Sequence, residues 1–152
     1  FLTSAAALAA ITTKQPEEFG LFGVVGLIIW VIGFLIEVVA DEQKRRFRNE
    51  VNEQGHQVNR GTFIRTGLWK YSRHPNYFGE IALWVGVAVI AIPVLSGWSF
   101  VALISPIFVY LLLVKVSGIP MLESSANKRW SDNPEYQRYK ESTPLLLLKP
   151  RR

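Results

Sequence analysis

The chain has 152 residues, of which 49% are hydrophobic and 19% are charged, and its net charge is +5. Soluble domains carry about a quarter charged residues, so the composition argues against an ordinary soluble protein, and the basic residues flank apolar runs, which argues against a nucleic-acid partner. The absence of cysteine excludes disulfides and thiolate metal sites, and two histidines are too few for a histidine-rich metal site, so we predict no metal centre.

The first part of the chain contains the clearest membrane helix. Residues 1–12 are interpreted as the end of a helix that begins in a preceding part of a longer protein, and a polar turn follows them. Leu21 to Ala40 is an apolar run of 20 residues interrupted by one acid, Glu37. A helix of that length crosses a hydrocarbon core of about 30 Å. We expect the helix to extend to about residue 48, because the charged stretch that follows has no Gly or Pro.

Two more membrane helices are predicted after a polar segment. Residues 50–75 contain glycines and no long apolar period, which indicates a loop or a re-entrant segment. Apolar runs then predict helices near 77–92 and 98–117, joined by a short uncharged turn into a helical hairpin. Pro106 is expected to kink the last of them.

The expected fold is all-α: a multi-span transmembrane bundle without a β-sheet. One membrane domain covers 1–152, with a transmembrane core at 20–117 and a polar tail at 118–152. Of the 17 Lys and Arg, Lys14 alone lies beside the first polar turn, and the other 16 lie at or beyond the opposite ends of the helices. The positive-inside rule makes that face cytoplasmic, stromal or matrix, in an endoplasmic reticulum, bacterial inner or organelle membrane, with membrane lipids as partners.

Charged side chains at the end of the first helix form one stripe. Its members are spaced so that they share a helix face: Glu37, Asp41, Lys44, Arg45 and Arg48. The acids suit amide or ribose groups, and the arginines suit phosphates because their planar fork donates two hydrogen bonds. The alternative is an ordinary helix end with an Asp41–Arg45 pair and snorkelling arginines. Glu37 fits that alternative poorly, since a carboxylate inside an apolar span usually faces a cavity or a partner.

A second set of polar side chains lies in the segment GLWKYSRHPNYFGE at 67–80. Pro75 predicts a helix start, whose N–H groups favour an anion, and it places Asn76 and Glu80 on one helix face. The alternative is an interfacial anchor with Trp69, Lys70 and Arg73 among the lipid headgroups, which leaves Asn76 and Glu80 unexplained.

Polar residues of the tail form a third set: Glu123, Lys128, Arg129, Tyr136, Arg138 and Tyr139. We expect most of them to belong to a solvated amphipathic tail on the membrane surface.

The 67–80 segment, the stripe from Asp41 to Arg48 and the string PEYQRY at 134–139 together resemble the C-terminal domain of the steroid 5-alpha-reductase family, in its uncharacterised reductase-like branch. The resemblance covers about 20–148. The pattern RHPxYxG at 73–79 is also similar to sterol C14 and C7 reductases, and to isoprenylcysteine carboxyl methyltransferases and related phospholipid methyltransferases, which use S-adenosylmethionine.

The resemblance implies an NADPH site at the cytoplasmic or stromal face. The cofactor-binding residues that it implies are Asp41, Arg45, Arg48, Tyr71, Arg73, His74, Asn76, Tyr77 and Glu80. In the reductases NADPH gives a hydride to the β-carbon of an enone, and the general acid comes from earlier helices. No catalytic residue is therefore predicted within this chain.

Three functions remain open. The first is an NADPH-dependent membrane reductase of a lipid-like double bond in a steroid, sterol or fatty enone. The second is an S-adenosylmethionine-dependent membrane methyltransferase. It is disfavoured because the stretch PMLESS at 120–125 has one acid, Glu123, where those enzymes have paired glutamates. The third is a non-catalytic, reductase-derived transmembrane subunit that packs with other subunits of a larger membrane complex.

Overall fold

Helices make up most of the computed structural model of the chain, which describes residues 20–95 and 97–149. The α-helices are α1 (Leu21–Asn49), α2 (Pro75–Ala91), α3 (Ile104–Leu111), α4 (Gly118–Trp130) and α5 (Pro134–Ser142). Three 3₁₀ turns cover Gly67–Lys70, Ile92–Val94 and Gly97–Leu103, and a π-helical turn at Leu112–Val116 joins α3 to α4. The described residues contain no strand, although one isolated bridge pairs Val51 with Gln57. The helix predicted at 1–12 lies outside the described residues.

Three helical stretches are long and apolar enough to cross a membrane: Leu21–Asn49, Pro75–Val94 and Ile104–Trp130. They confirm an integral, multi-pass, all-α membrane protein. The third stretch begins and ends later than the predicted 98–117. Pro106 lies in the first turn of α3, directly after the 3₁₀ turn at Gly97–Leu103, where its missing N–H breaks no α-helical hydrogen bond.

The helices α1 and α2 run antiparallel and touch through four glycines. Gly26 packs against Gly86, and Gly33 packs against Gly79, and the two glycines on each helix are seven positions apart. A Cβ atom added at any of the four would lie between 2.5 and 2.8 Å from a backbone atom of the facing helix. This register puts the turn at 92–95 at the opposite end of the pair from 50–74, as predicted, and sets the start of α2 beside the charged end of α1.

The segment between α1 and α2 is a loop that folds back onto the end of α1. The Trp69 indole Nε1 donates a hydrogen bond to the Ala40 carbonyl oxygen over 3.0 Å, and the Leu68 N–H donates to Gln43 Oε1 over 2.9 Å. Ala40, Ile64 and Trp69 form a small buried core there. These contacts hold the 3₁₀ turn at Gly67–Lys70 against the end of α1.

Residues 144–149, the last that the structure describes, lie along residues 71–73. The Arg73 N–H donates to the Pro144 carbonyl oxygen over 2.9 Å, and the Lys149 N–H donates to the Tyr71 carbonyl oxygen over 3.1 Å. The Ser72 hydroxyl donates to the Leu146 carbonyl oxygen over 2.9 Å. Residues 144–149 therefore form a strap that holds 71–73 in place.

Candidate functional site

A cavity of about 640 Å³ lies between the end of α1, the loop that follows it, and the helices α4 and α5. Five of the described residues that line it are cationic: Lys44, Arg48, Arg60, Arg73 and Arg129. One is a carboxylate, Glu123, and six are aromatic: Phe47, Phe63, Trp69, Trp130, Tyr136 and Tyr139. The volume is that of a small-molecule or cofactor site, and the lining suits an anionic ligand that carries flat rings.

One carboxylate ties α4 to the segment before α2. Glu123 Oε2 accepts a hydrogen bond from Arg73 Nη1 over 2.5 Å, and Glu123 Oε1 lies 2.9 Å from His74 Nε2. The side chains of Arg73, Glu123 and His74 are only 15%, 18% and 8% exposed. Charge-assisted hydrogen bonds that are shielded from water are among the stronger polar interactions in proteins, so this triad fixes two side chains of the cavity wall.

Three of the four buried side-chain polar atoms without a partner in the described part of the chain lie in the same short segment, and the fourth is the Thr143 hydroxyl. Within the described part of the chain, Arg73 Nε, His74 Nδ1 and Asn76 Oδ1 are buried and make no hydrogen bond. A buried polar group left unpaired costs about 1–3 kcal/mol, and such groups in native proteins call for an explanation. Their concentration in four successive positions is what a ligand-binding segment would show.

The wall opposite α1 is aromatic. The Phe63 ring contacts the rings of Trp130, Tyr136 and Tyr139 at centroid distances of 5.7, 5.3 and 5.4 Å. Burial raises the pKa of the Tyr136 phenol, and the nearby Glu123 carboxylate raises it further against the opposing effect of Arg73. Tyr136 therefore stays a neutral donor at physiological pH. This wall offers flat apolar faces next to hydrogen-bond donors.

A group of acids lies deeper along the α1–α2 pair. The carboxylates of Glu37, Asp41 and Glu80 are close enough to act on one another electrostatically, and Tyr77 is close to Asp41 and Glu80. The Tyr77 ring stacks on the His74 ring, with centroids 5.8 Å apart and planes inclined by 13°. Tyr77 and His74 thus connect the acidic group with the cavity wall.

The predicted site residues fall into three sets. Arg48, Arg73 and His74 line the cavity. Asp41, Tyr77 and Glu80 form the acidic group with Glu37. Asn76 lies in the chain between His74 of the first set and Tyr77 of the second. Arg45 lies outside the cavity lining. It pairs with Glu42 at 2.7 Å, whereas the interpretation of the stripe as an ordinary helix end expected it to pair with Asp41. Tyr71 is exposed, with the Lys70 ammonium 5.8 Å from its ring centroid.

Of the tail residues, Lys128, Arg129 and Arg138 are exposed, as expected of a solvated tail, although Arg129 also lines the cavity. The expectation is wrong for three other residues. Tyr136 and Tyr139 are buried and Glu123 is mostly buried, because α4 and α5 pack onto the 63–74 segment. The Tyr139 hydroxyl donates to the Trp69 carbonyl oxygen over 2.7 Å. One signal could have identified Glu123: it follows an apolar stretch, where a carboxylate usually has a partner.

Metal ligands are not grouped in the described part of the chain. No set of three or more His, Asp or Glu side chains there could hold a metal ion.

Comparisons with known proteins identify relatives of the chain. Residues 1–143 match the family described as "Protein of unknown function (DUF1295)". The chain is 36% identical over 75 residues to the Bos taurus protein named 3-oxo-5-alpha-steroid 4-dehydrogenase 1, covering 49% of this chain and 26% of that protein. It is 25% identical over 122 residues to the Rattus norvegicus protein of the same name, covering 80% of this chain and 39% of that protein.

A plant relative gives a similar result. The chain is 35% identical over 88 residues to the Gossypium hirsutum protein named Steroid 5-alpha-reductase DET2, covering 58% of this chain and 30% of that protein. The chain thus spans between about a quarter and two fifths of the length of these curated relatives. No solved structure matches it.

Proposed function

The chain belongs to the DUF1295 family and is a domain of the steroid 5-alpha-reductase family, and from this premise we propose that it forms the cofactor-binding part of a membrane-embedded, NADPH-dependent reductase. Its substrate is a lipid-like double bond, in a steroid, a sterol or a fatty enone. The observation that carries the proposal is the cationic, aromatic cavity at the charged end of α1. The positive-inside rule makes that end cytoplasmic or stromal, where NADPH is available.

The lining fits NADPH better than S-adenosylmethionine. Five cations and one carboxylate give the described lining an excess of four positive charges (5 − 1), with His74 counted as neutral. NADPH carries a pyrophosphate and a 2′-phosphate, which need several cations. S-adenosylmethionine is cationic at sulfur and would be repelled by the same excess. The aromatic wall can contact flat rings of either ligand, so charge is what discriminates.

NADPH, when bound, supplies the hydride that is delivered to the β-carbon of an enone. In this proposal the residues of the chain bind and orient the cofactor. Arg48 holds a phosphate group, His74 provides a polar partner at the cavity wall, and Asn76 provides another on the first turn of α2. The acids Asp41 and Glu80 accept hydrogen bonds from hydroxyl or amide groups. Arg45 and Tyr71 remain in the proposal as outer contacts, and Tyr77 supports His74 by stacking.

Replacing Arg48 by alanine is expected to weaken NADPH binding about tenfold or more and to affect NADH less. A charge-assisted hydrogen bond to phosphate contributes about 1.5–3 kcal/mol, and about 1.4 kcal/mol corresponds to a factor of ten in affinity. The measurement is a fluorescence titration of the full-length protein in nanodiscs. Arg46→Ala is the matched control, because Arg46 is on the same helix, pairs with Glu42 at 2.6 Å and does not line the cavity.

The same titration separates the competing functions. Unchanged NADPH affinity in Arg48→Ala would contradict this assignment of the phosphate site. Binding of S-adenosylmethionine without NADPH would favour the methyltransferase, towards which the RHPxYxG pattern at 73–79 also points. Binding of neither would favour a non-catalytic subunit of a membrane complex.

A further inference from the structure

We propose that Arg60, on the loop after α1, joins Arg48 in a two-arginine site for one phosphate group. The proposal rests on the proposed function only for the identity of the ligand that carries the phosphate. Both arginines line the cavity and both are exposed. Neither pairs with a carboxylate of the described residues.

A hydrogen bond between their sequence neighbours brings the two arginines together. Asn59 Nδ2 donates to the Phe47 carbonyl oxygen over 2.9 Å and to Glu50 Oε2 over 2.7 Å. Arg60 and Arg48 directly follow the two residues of the first bond, so their side chains start from adjacent places on the cavity rim. The acid nearest to Arg48 in the chain, Glu50, accepts a hydrogen bond from Asn59 and pairs with neither arginine.

The loop holds Arg60 between two anchors. Asn59, on one side, is bound to the end of α1. Gly61, on the other side, accepts a hydrogen bond from the Trp130 indole Nε1 over 2.6 Å, which ties it to α4. Before the anchors, Asn52 Oδ1 accepts hydrogen bonds from the N–H groups of Gln54 and His56 over 3.1 and 2.9 Å. Arg60 therefore lies in a hydrogen-bonded turn, so less conformational entropy is lost when it binds a ligand.

The remaining cations of the cavity have other partners. Arg73 is bound to Glu123, the Lys44 ammonium lies 4.9 Å from the centroid of the Trp69 ring, and the Arg129 guanidinium lies 5.5 Å from that of Trp130. Within the described part of the chain, Arg48 and Arg60 are left as a pair of cations without an acidic partner. Such a pair repels itself until an anion binds, and two guanidinium forks suit a phosphate group.

The phosphate could belong to a nucleotide or to a lipid headgroup, and two binding measurements on the full-length protein distinguish them. The first titrates NADPH and NADH, and the second measures binding of a soluble short-chain phosphatidic acid. Arg60→Ala is expected to weaken binding of the phosphate-bearing ligand about tenfold. Arg65→Ala is the matched control, because Arg65 is on the same loop, pairs with Glu135 at 2.8 Å and lies outside the cavity lining.

The double variant tests whether the two arginines share one phosphate. Removing either arginine already disrupts a phosphate site that the two share. The loss of affinity in the double variant should therefore be clearly smaller than the product of the losses in the single variants. Equal affinities of Arg60→Ala and Arg65→Ala for both ligands, or fully multiplicative losses in the double variant, would overturn the proposal. A loss confined to phosphatidic acid, in a protein that does not bind NADPH, would retain the arginine pair and reject the proposed cofactor.

Discussion

Replacing Glu123 by alanine is expected to lower the free energy of unfolding by about 2–4 kcal/mol, because the change leaves two buried donors without an acceptor. Arg73 Nη1 and His74 Nε2 both meet the Glu123 carboxylate, and the three side chains are at most 18% exposed. Since Arg73 Nε and His74 Nδ1 already lack partners in the described structure, the variant would leave both side chains almost wholly unpaired. Chemical unfolding of the full-length protein in detergent, followed by near-ultraviolet circular dichroism, measures the loss.

Two controls separate this triad from an ordinary ion pair. Glu123→Gln keeps the shape and one acceptor oxygen, and its amide can donate to His74 Nε2 if the imidazole takes its other tautomer, so we expect a smaller loss than in Glu123→Ala. Glu135→Ala removes the exposed Arg65–Glu135 pair, whose side chains are 50% and 60% exposed, and should change stability by less than about 1 kcal/mol. If Glu123→Ala is no more destabilising than Glu135→Ala, the triad does not hold α4 in place.

The membrane helices could be predicted because the bilayer imposes their length and composition. A run such as Leu21 to Ala40 must satisfy its own backbone hydrogen bonds in lipid, and only a helix does so within one segment. Glu37 could likewise be identified as unusual, since an acid in an apolar span needs a partner. The sequence did not show which glycines of the two helices are in contact. The register of Gly33 on Gly79 depends on two helices separated by a long loop.

The cavity could be predicted only in part, because its walls come from segments far apart in the chain. The Tyr139 hydroxyl donates a hydrogen bond to the Trp69 carbonyl oxygen, and the Trp130 indole donates one to the Gly61 carbonyl oxygen. The two residues of each pair are about 70 positions apart in sequence. Such contacts produce no periodicity and no local motif. Arg60 lies in a polar loop that no sequence pattern distinguishes, whereas Arg48 and His74 lie in motifs that could be identified.

Replacing Gly79 by alanine is expected to destabilise the α1–α2 pair by about 1–3 kcal/mol, and replacing it by leucine is expected to prevent folding. A Cβ atom at this position would lie 2.6 Å from the Glu37 backbone nitrogen and 2.6 Å from the Gly33 carbonyl oxygen. Both atoms belong to a helix backbone, which cannot move aside as a flexible side chain can. The helices would have to separate, and that would also move Glu80 away from Glu37 and Asp41.

The control for this prediction changes the other face of α1. Ile32 precedes Gly33 and is 52% exposed on the face that points away from α2, so Ile32→Ala should change stability by less than about 1 kcal/mol. Unfolding midpoints of the full-length variants in detergent, together with their NADPH affinities, give the comparison. Gly79→Ala should lower both quantities, because α2 carries Asn76, Tyr77 and Glu80 on its first turns. A Gly79→Ala protein as stable as Ile32→Ala would show that the two helices do not approach at this glycine.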